Sequence, residues 1–561
     1  MPNTAVPSRL TATRRSASQV RPGINGRSLA GHLAQNCPVA SPEDTNEQVL
    51  HLFSEHQHVG ALPVVENGKL IGIDLDTLRR QPGVIAVLTA ADIPAENNCG
   101  PLLHDDPILA EYVQSIWQPL LAAARSRGEL PPEQDERFAW DILLGRDRSI
   151  NAFALPGGYL GVHLGLISAV SSADELASVL AHELSHVTQR HIARMIAQQG
   201  RQGPMVMGAM ILGMLAASRT ANASSMSAAN AVMVGGQAAA IQSQLNFSRD
   251  MEREADRVGY GVMTEAGYEP QGFVTMFEKL QQAARLNDNG SFPYLRSHPM
   301  TTERISDAQA RQQLLPVRGA VATTPMHAMM AARAQVLANP GIDVLRTIAA
   351  QANATSLTAA NKAKQAGVLY GATMAELKQR NFAEARQYLG RLQALSGFDV
   401  NALRAVRLLA AELALAGGDA AQAVALLESK ATVIAHNDRA TRIQLAQSRV
   451  ATRKPAQGKA AATDLSLWLN QHPRDATAWL VQASAYELQG DGLRAIRAQA
   501  EARAMELDYS AAVDRFKAAQ LLAHQMASEG KLDRVGHMEA SIIDARLREL
   551  ERLRREQALE R

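Results

Sequence analysis

The sequence predicts a mainly α protein, with an α+β domain that carries a small sheet followed by an α-helical solenoid. Three observations carry that expectation. Ser172 three residues before Glu175 reads as a capping box, and Leu176, Leu180, Leu184 and Val187 then recur at helical spacing. Asp147 to His163 reads as strand, turn, strand around Pro156-Gly157-Gly158. Beyond Pro325 helical patterning continues to the end, with small residues returning every 35 to 38 positions. At 561 residues the chain is too long for one core, so two to four domains are expected.

Composition narrows the function classes. The net charge of +2 gives no reason to expect nucleic acid as a partner. Aromatic residues make up only 4%, while alanine is abundant, which suits close packing of helices through small residues. The two cysteines, Cys37 and Cys99, both precede the α+β domain, so neither that domain nor the solenoid can contain a disulfide.

Taken in order, Met1 to Arg27 is polar and rich in Arg, Ser and Pro, a disordered composition without the apolar run of a secretory signal peptide. Residues 28–104 form an atypical segment. Ser28 to Ile73 reads helix, strand, helix, strand, with Ala61-Leu62-Pro63-Val64-Val65 and Asn67-Gly68 before Leu70-Ile71-Gly72-Ile73. It resembles a single CBS module. Such modules work in pairs, so one alone is not expected to form a nucleotide cleft. Asp74 to Pro107, with Pro82 to Pro94 at its centre, resembles a short piece of the molybdenum subunit of xanthine dehydrogenases. It lacks that family's active-site regions and is assigned no chemistry.

The α+β domain is expected over 105–316. Leu109 to Arg125 is an amphipathic helix with Trp117 and Leu120 in the core. The stretch that carries chemistry is Ala181 to His191, which holds His182, Glu183 and His186 as H-E-x-x-H. Residues four apart share a helix face, so both imidazoles can reach one metal ion. Glu183 can reach a water held by that ion and take its proton. A catalytic zinc needs a third protein ligand and an open position. His191 is five residues past His186, where the metzincin pattern needs six and a Gly at the position of Gln189. It also points away from His186 along the helix, so it is expected at the surface. Glu252 and Asp256 are a better source: they share a face, with Glu254 rotated about 200° away. One carboxylate can ligate the metal while the other holds a ligating histidine by its second ring nitrogen.

H-E-x-x-H with a downstream E-x-x-x-D resembles the gluzincin family of the HtpX membrane proteases and the CAAX prenyl endopeptidases. Asn151 to Gly158, the segment from Ser297-His298-Pro299 to Glu303-Arg304-Ile305, and the helical tail resemble that family's soluble periplasmic branch. The likeness runs from about Asp105 to the C-terminus. It implies a zincin-type metalloprotease with one zinc ion per chain, held by His182, His186 and Glu252 with Asp256 behind them. It also implies a periplasmic location and, as substrates, unfolded or misassembled outer-membrane proteins.

Further readings complete the site. Asn151, Ala152, Phe153, Ala154 and Leu155 are candidates for an edge strand that pairs with an extended substrate backbone. His298, extended because proline follows it, is expected to enter the site, either stabilising the oxyanion or filling the metal's open position. Arg304 is expected to steady the oxyanion or to pair with a carboxylate. Met205 to Ala217 is an apolar run of 13 residues, short of the roughly 20 that span a bilayer, and is read as a lid or a peripheral membrane contact.

Residues 317–330 read as a linker. About four tetratricopeptide (TPR) repeats are expected over 331–545, aligned on Ala385, Ala423, Ala460 and Ala495, then a charged helix end over 546–561. In the last unit Trp479, Ala483, Tyr486, Gly490, Ala495 and Ala502 fall in register. The groove of such repeats would bind partner proteins, by resemblance the outer-membrane assembly machinery. The rival reading is a TPR scaffold or chaperone whose protease part is inactive. Glu183 argues against it, because a dead scaffold has no need of a general base.

Overall fold

The computed structural model describes residues 65–66, 69–70, 105–155, 157–195, 249–285, 294, 298, 301–313, 323–338, 341–429 and 439–560. The start read as disordered, most of the 28–104 segment and the 205–217 run lie outside them. The chain divides into two compact units, one of 99–505 and one combining 1–98 with 506–561.

The larger unit opens with α1 (Pro107–Ser126). Asp106 caps it by accepting the Leu109 N–H at 2.8 Å, and Pro107 fits the first turn because its missing N–H is not needed there. Trp117 and Leu120 are buried, as expected. The sheet has the order β3-β5-β4, from β3 (Asp141–Gly145), β4 (Ala152–Leu155) and β5 (Tyr159–His163). β4 and β5 are antiparallel around Gly157 and Gly158, whose φ values of 87° and 81° only glycine adopts without strain. β3 runs parallel to β5, a strand the alternation pattern did not reveal.

Two helices follow, α2 (Leu164–Ala169) and α3 (Ala173–Thr188). Ser172 accepts the Glu175 N–H at 3.1 Å, and Glu175 reaches back to the N–H of Ser171 at 2.6 Å. The capping pair is therefore real, with its return arm one residue earlier than the ideal box. Leu176, Leu180 and Leu184 are fully buried.

α4, described over 249–265, ends at Gly267, whose φ of 87° accompanies hydrogen bonds from Gly267 to Thr264 and from Tyr268 to Met263. That is the glycine stop expected from the sequence. A Cβ on Gly259 would lie 3.0 Å from the His182 nitrogen and 3.1 Å from the Ala181 oxygen, so glycine is what lets α4 lie directly on α3. α5 (Gln271–Arg285) buries Phe273, Phe277 and Leu280, and α6 (Thr302–Gln313) follows.

Helices continue as α7 (Pro325–Leu337), α8 (Ile342–Gln351), α9 (Lys362–Lys378), α10 (Phe382–Gln393), α11 (Val400–Ala416), α12 (Ala420–Leu427), α13 (Arg439–Ala451), α14 (Pro455–Gln471), α15 (Ala476–Leu488) and α16 (Gly492–Met505). α7 begins inside the stretch read as a linker, because Thr324 caps it and Pro325 opens it. One buried apolar cluster runs from Ile108 to Leu445, so the α+β domain and the first helices of the array share a core. Charged pairs join the same elements: Arg333 binds Asp106 at 2.7 Å and Glu412 at 2.6 Å, and Arg439 binds Asp105 at 2.7 Å.

A common geometry recurs at four turns between successive helices. Arg380, Gly418, Arg453 and Gly490 have φ of 63°, 87°, 57° and 77°. Five residues later, Ala385, Ala423, Gly458 and Ala495 each donate an N–H to the cap residue's carbonyl and are buried. The equivalent of Ala385 in the third pair is therefore Gly458, and Ala460 is only half-buried. Its register was misread because Gly458 has no side chain to mark it, while the Cβ it lacks would meet the Ala485 oxygen at 3.1 Å.

In the other unit the described residues are a hairpin, β1 (Val65–Glu66) and β2 (Lys69–Leu70), and two helices, α17 (Tyr509–Ser528) and α18 (Arg534–Glu560). Val65 pairs with Leu70 and Glu66 with Lys69 in an antiparallel register. The charged C-terminal stretch lies on α18, where Arg552 and Glu556 pair at 2.7 Å one turn apart.

Candidate metal centre

α3 and α4 bring distant residues together. His182 and His186 project from one face of α3, and their Nε2 atoms are 3.0 Å apart. Across from them, Glu252 on α4 places Oε2 3.4 Å from His182 Nε2 and Oε1 3.4 Å from His186 Nε2. His298 adds Nδ1, 3.3 Å from His182 Nε2 and 2.9 Å from Glu252 Oε1. All four residues offer an atom within 4.8 Å of the others, the one such group among the described residues.

The donor set fits zinc. Tetrahedral ligands at about 2.0–2.1 Å from zinc stand about 3.3–3.4 Å from one another, close to the separations here. Three imidazoles and a carboxylate suit that ion. Burial and the neighbouring imidazoles hold His186 neutral, its pKa well below the ordinary value. Burial opposes ionisation of Glu252, but hydrogen bonds from His182 and His298 outweigh it and keep the carboxylate charged. Burial also opposes a proton on His182, yet Asp256 and Glu252 outweigh it and push its pKa up to about 10.

The supporting residues are equally specific. Asp256, one turn after Glu252, places a carboxylate oxygen 2.9 Å from His182 Nδ1. Arg304 is buried and grips Asp256 at 2.6 and 2.7 Å, with a third contact to Glu252 at 3.0 Å. Of its two expected roles, the geometry meets the carboxylate pairing; its guanidinium is engaged there rather than turned toward an oxyanion.

Glu183 is buried on the side of His182 that faces β4. Burial raises its pKa, against the pull of His298 and His182. Its Oε2 accepts the Ala154 N–H at 3.2 Å, and His298 Nε2 lies 3.4 Å from Oε1. β4 is the edge of its sheet. Because the His163 N–H bonds to Asn151, alternate residues Ala152 and Ala154 turn their backbone groups outward. Asn151, Phe153 and Leu155 face β5 with theirs.

Two residues escaped sequence reading. His191 is not a surface histidine: it is buried, with Nδ1 2.9 Å from His186 Nδ1 and Nε2 3.1 Å from Glu254. Extrapolating helical rotation failed because α3 stops at Thr188 and Arg190, at φ 56°, turns the chain back. Tyr294 stacks on His298 at 4.5 Å and hydrogen-bonds to Glu183. Nothing in the sequence near Tyr294 marked it.

A buried cluster of histidines and a carboxylate beside a glutamate on the same helix defines a zinc metalloendopeptidase. The comparisons agree with that class: residues 107–312 match the peptidase family M48, and residues 30–73 match the CBS domain. The chain is 32% identical to the putative beta-barrel assembly-enhancing protease of Vibrio cholerae over 51% of this chain and 56% of that one. It is 28% identical to the beta-barrel assembly-enhancing protease of Yersinia pestis over 81% and 85% of the two chains. It is also similar to the mitochondrial metalloendopeptidase OMA1 of Arabidopsis thaliana, 30% identical over 32% of this chain and 34% of that one. The xanthine dehydrogenase likeness of Asp74 to Pro107 finds no support in these matches.

Proposed function

We propose that the protein is a zinc-dependent endopeptidase that cleaves misassembled outer-membrane proteins in the bacterial periplasm. The observation that carries the hydrolytic reading is the meeting of His182, His186 and Glu252, some 66 residues apart in the chain, beside Glu183. Zinc held by those three residues supplies Lewis-acid polarisation of a carbonyl and of a water molecule. Glu183 takes the water's proton and passes it to the leaving amine as the C–N bond breaks and the water oxygen joins the carbonyl carbon. A substrate strand pairs with the outward backbone groups of Ala152 and Ala154, which requires Glu183 to release the Ala154 N–H. His298 would serve as a fourth donor to the ion and so fill the position a water would take. The placement of His298 Nδ1 among the other donors favours that role over oxyanion binding.

The name carried by the Vibrio and Yersinia relatives supports the substrate class. None of the described helices is long and apolar enough to cross a membrane. The array α7–α16 serves as a TPR-type recruiter of substrate or of the outer-membrane assembly machinery, supported by the turn geometry that recurs at Ala385, Ala423, Gly458 and Ala495. The 205–217 run remains a candidate for peripheral membrane contact. The test is casein cleavage with and without chelator, beside Glu183→Gln. Cleavage lost in both supports the hydrolase; turnover unchanged by either treatment returns the protein to a scaffold or chaperone.

A further inference from the structure

The two ligating imidazoles are held differently. His182 Nδ1 lies 2.9 Å from a carboxylate oxygen of Asp256. His186 has no carboxylate on its second nitrogen among the described residues. It faces another histidine, His191, whose far nitrogen reaches Glu254 at 3.1 Å. Glu254 is in turn held by Arg194 at 2.6 Å. The rings of His186 and His191 stand nearly perpendicular, at 77°, with centroids 4.9 Å apart.

We infer that His191 and Glu254 form a positioning relay that fixes the tautomer and aim of the metal ligand His186. This rests on the zinc reading above. If Nε2 of His186 gives its lone pair to the metal, the proton of the neutral ring sits on Nδ1 and must be donated. The atom facing it is His191 Nδ1, which accepts only if His191 carries its own proton on Nε2. Glu254, an acceptor alone, takes that proton's hydrogen bond. Each donor then meets one acceptor from Glu254 through His191 to His186. The left-handed turn at Arg190 follows the end of α3, and His191 beyond it is buried against His186. Glu254 was set aside in the sequence because it leaves the metal face of α4; that same rotation is what aims it at His191.

The relay is tested on zinc-loaded full-length protein by competition with a chelating dye, and by the visible spectrum of the cobalt-substituted form. His191→Leu removes the acceptor and is expected to lose about 10- to 100-fold in zinc affinity, with an altered cobalt spectrum. His191→Gln offers one acceptor and one donor, as the neutral ring does, and is expected to recover most of that loss. Zinc affinity of His191→Leu within about twofold of the parent, or equal losses in the Leu and Gln variants, overturns the relay. Should His191→Leu fail to fold, Glu254→Ala on the partly exposed end decides: several-fold weaker zinc binding supports the relay and unchanged binding overturns it. A parent protein that binds no zinc would instead sink the metalloprotease reading, so the two failures are distinguishable.

Discussion

Glu183 and His298 compete for the same few ångströms beside the metal donors, and their substitutions should act in opposite directions. Glu183→Gln keeps the shape and removes the base, so peptide hydrolysis should fall by about 10²- to 10⁴-fold while zinc content is retained. His298→Ala removes the fourth donor, so basal casein cleavage should rise; a fall would transfer the residue to oxyanion binding. Much of this was legible in the sequence at the residue scale. Helical spacing pairs His182 with His186, and Glu252 with Asp256, because i and i+4 meet on any α-helix. Arg304 was legible as a carboxylate partner but not as one serving two carboxylates. His191 and Tyr294 were illegible for different reasons. The first depends on a left-handed residue after a helix end, and the second on a contact between segments more than 100 residues apart.

At the level of elements, the distance between α3 and α4 decides whether a metal can be bound at all. Gly259→Val would push against the backbone of Ala181 and His182 and draw Glu252 away from the imidazoles. A loss of about 1–3 kcal/mol in unfolding free energy is expected, together with weaker zinc binding. Gly259 carried no signal in the sequence, since a glycine inside a helix marks a close approach without saying to what. A second element contact predicts pH dependence. His327 on α7 is buried, accepts the Tyr112 hydroxyl at 2.6 Å and donates to the Val170 carbonyl at 3.0 Å. Burial lowers its pKa, against the pull of the Val170 carbonyl. Below about pH 6.5 the unfolded imidazole binds a proton that the folded one refuses, so stability falls with falling pH and is retained above that point. Urea unfolding at several pH values should show this slope, and His327→Gln should flatten it.

Across the larger unit, the helical array is bound to the α+β domain through charge as well as apolar packing. Arg333 is buried between Asp106 and Glu412, with Tyr370 beside it at 3.2 Å. Arg333→Met removes the buried ion pairs to Asp106 and Glu412 and should cost about 3–5 kcal/mol in chemical unfolding. The sequence announced the array through its spaced small residues, yet not this joining, because a lone arginine in an alanine-rich helix has no local pattern. Likewise β3 was missed: its partner β5 is parallel, so no tight turn announces the pair.

The most direct test of the whole account is the zinc content of the purified protein and of Glu252→Ala, measured by elemental mass spectrometry after exhaustive dialysis. One zinc per chain in the parent and its loss in the variant, with helical content unchanged, is the predicted result. A Glu252→Ala protein that holds stoichiometric zinc as tightly as the parent would contradict it.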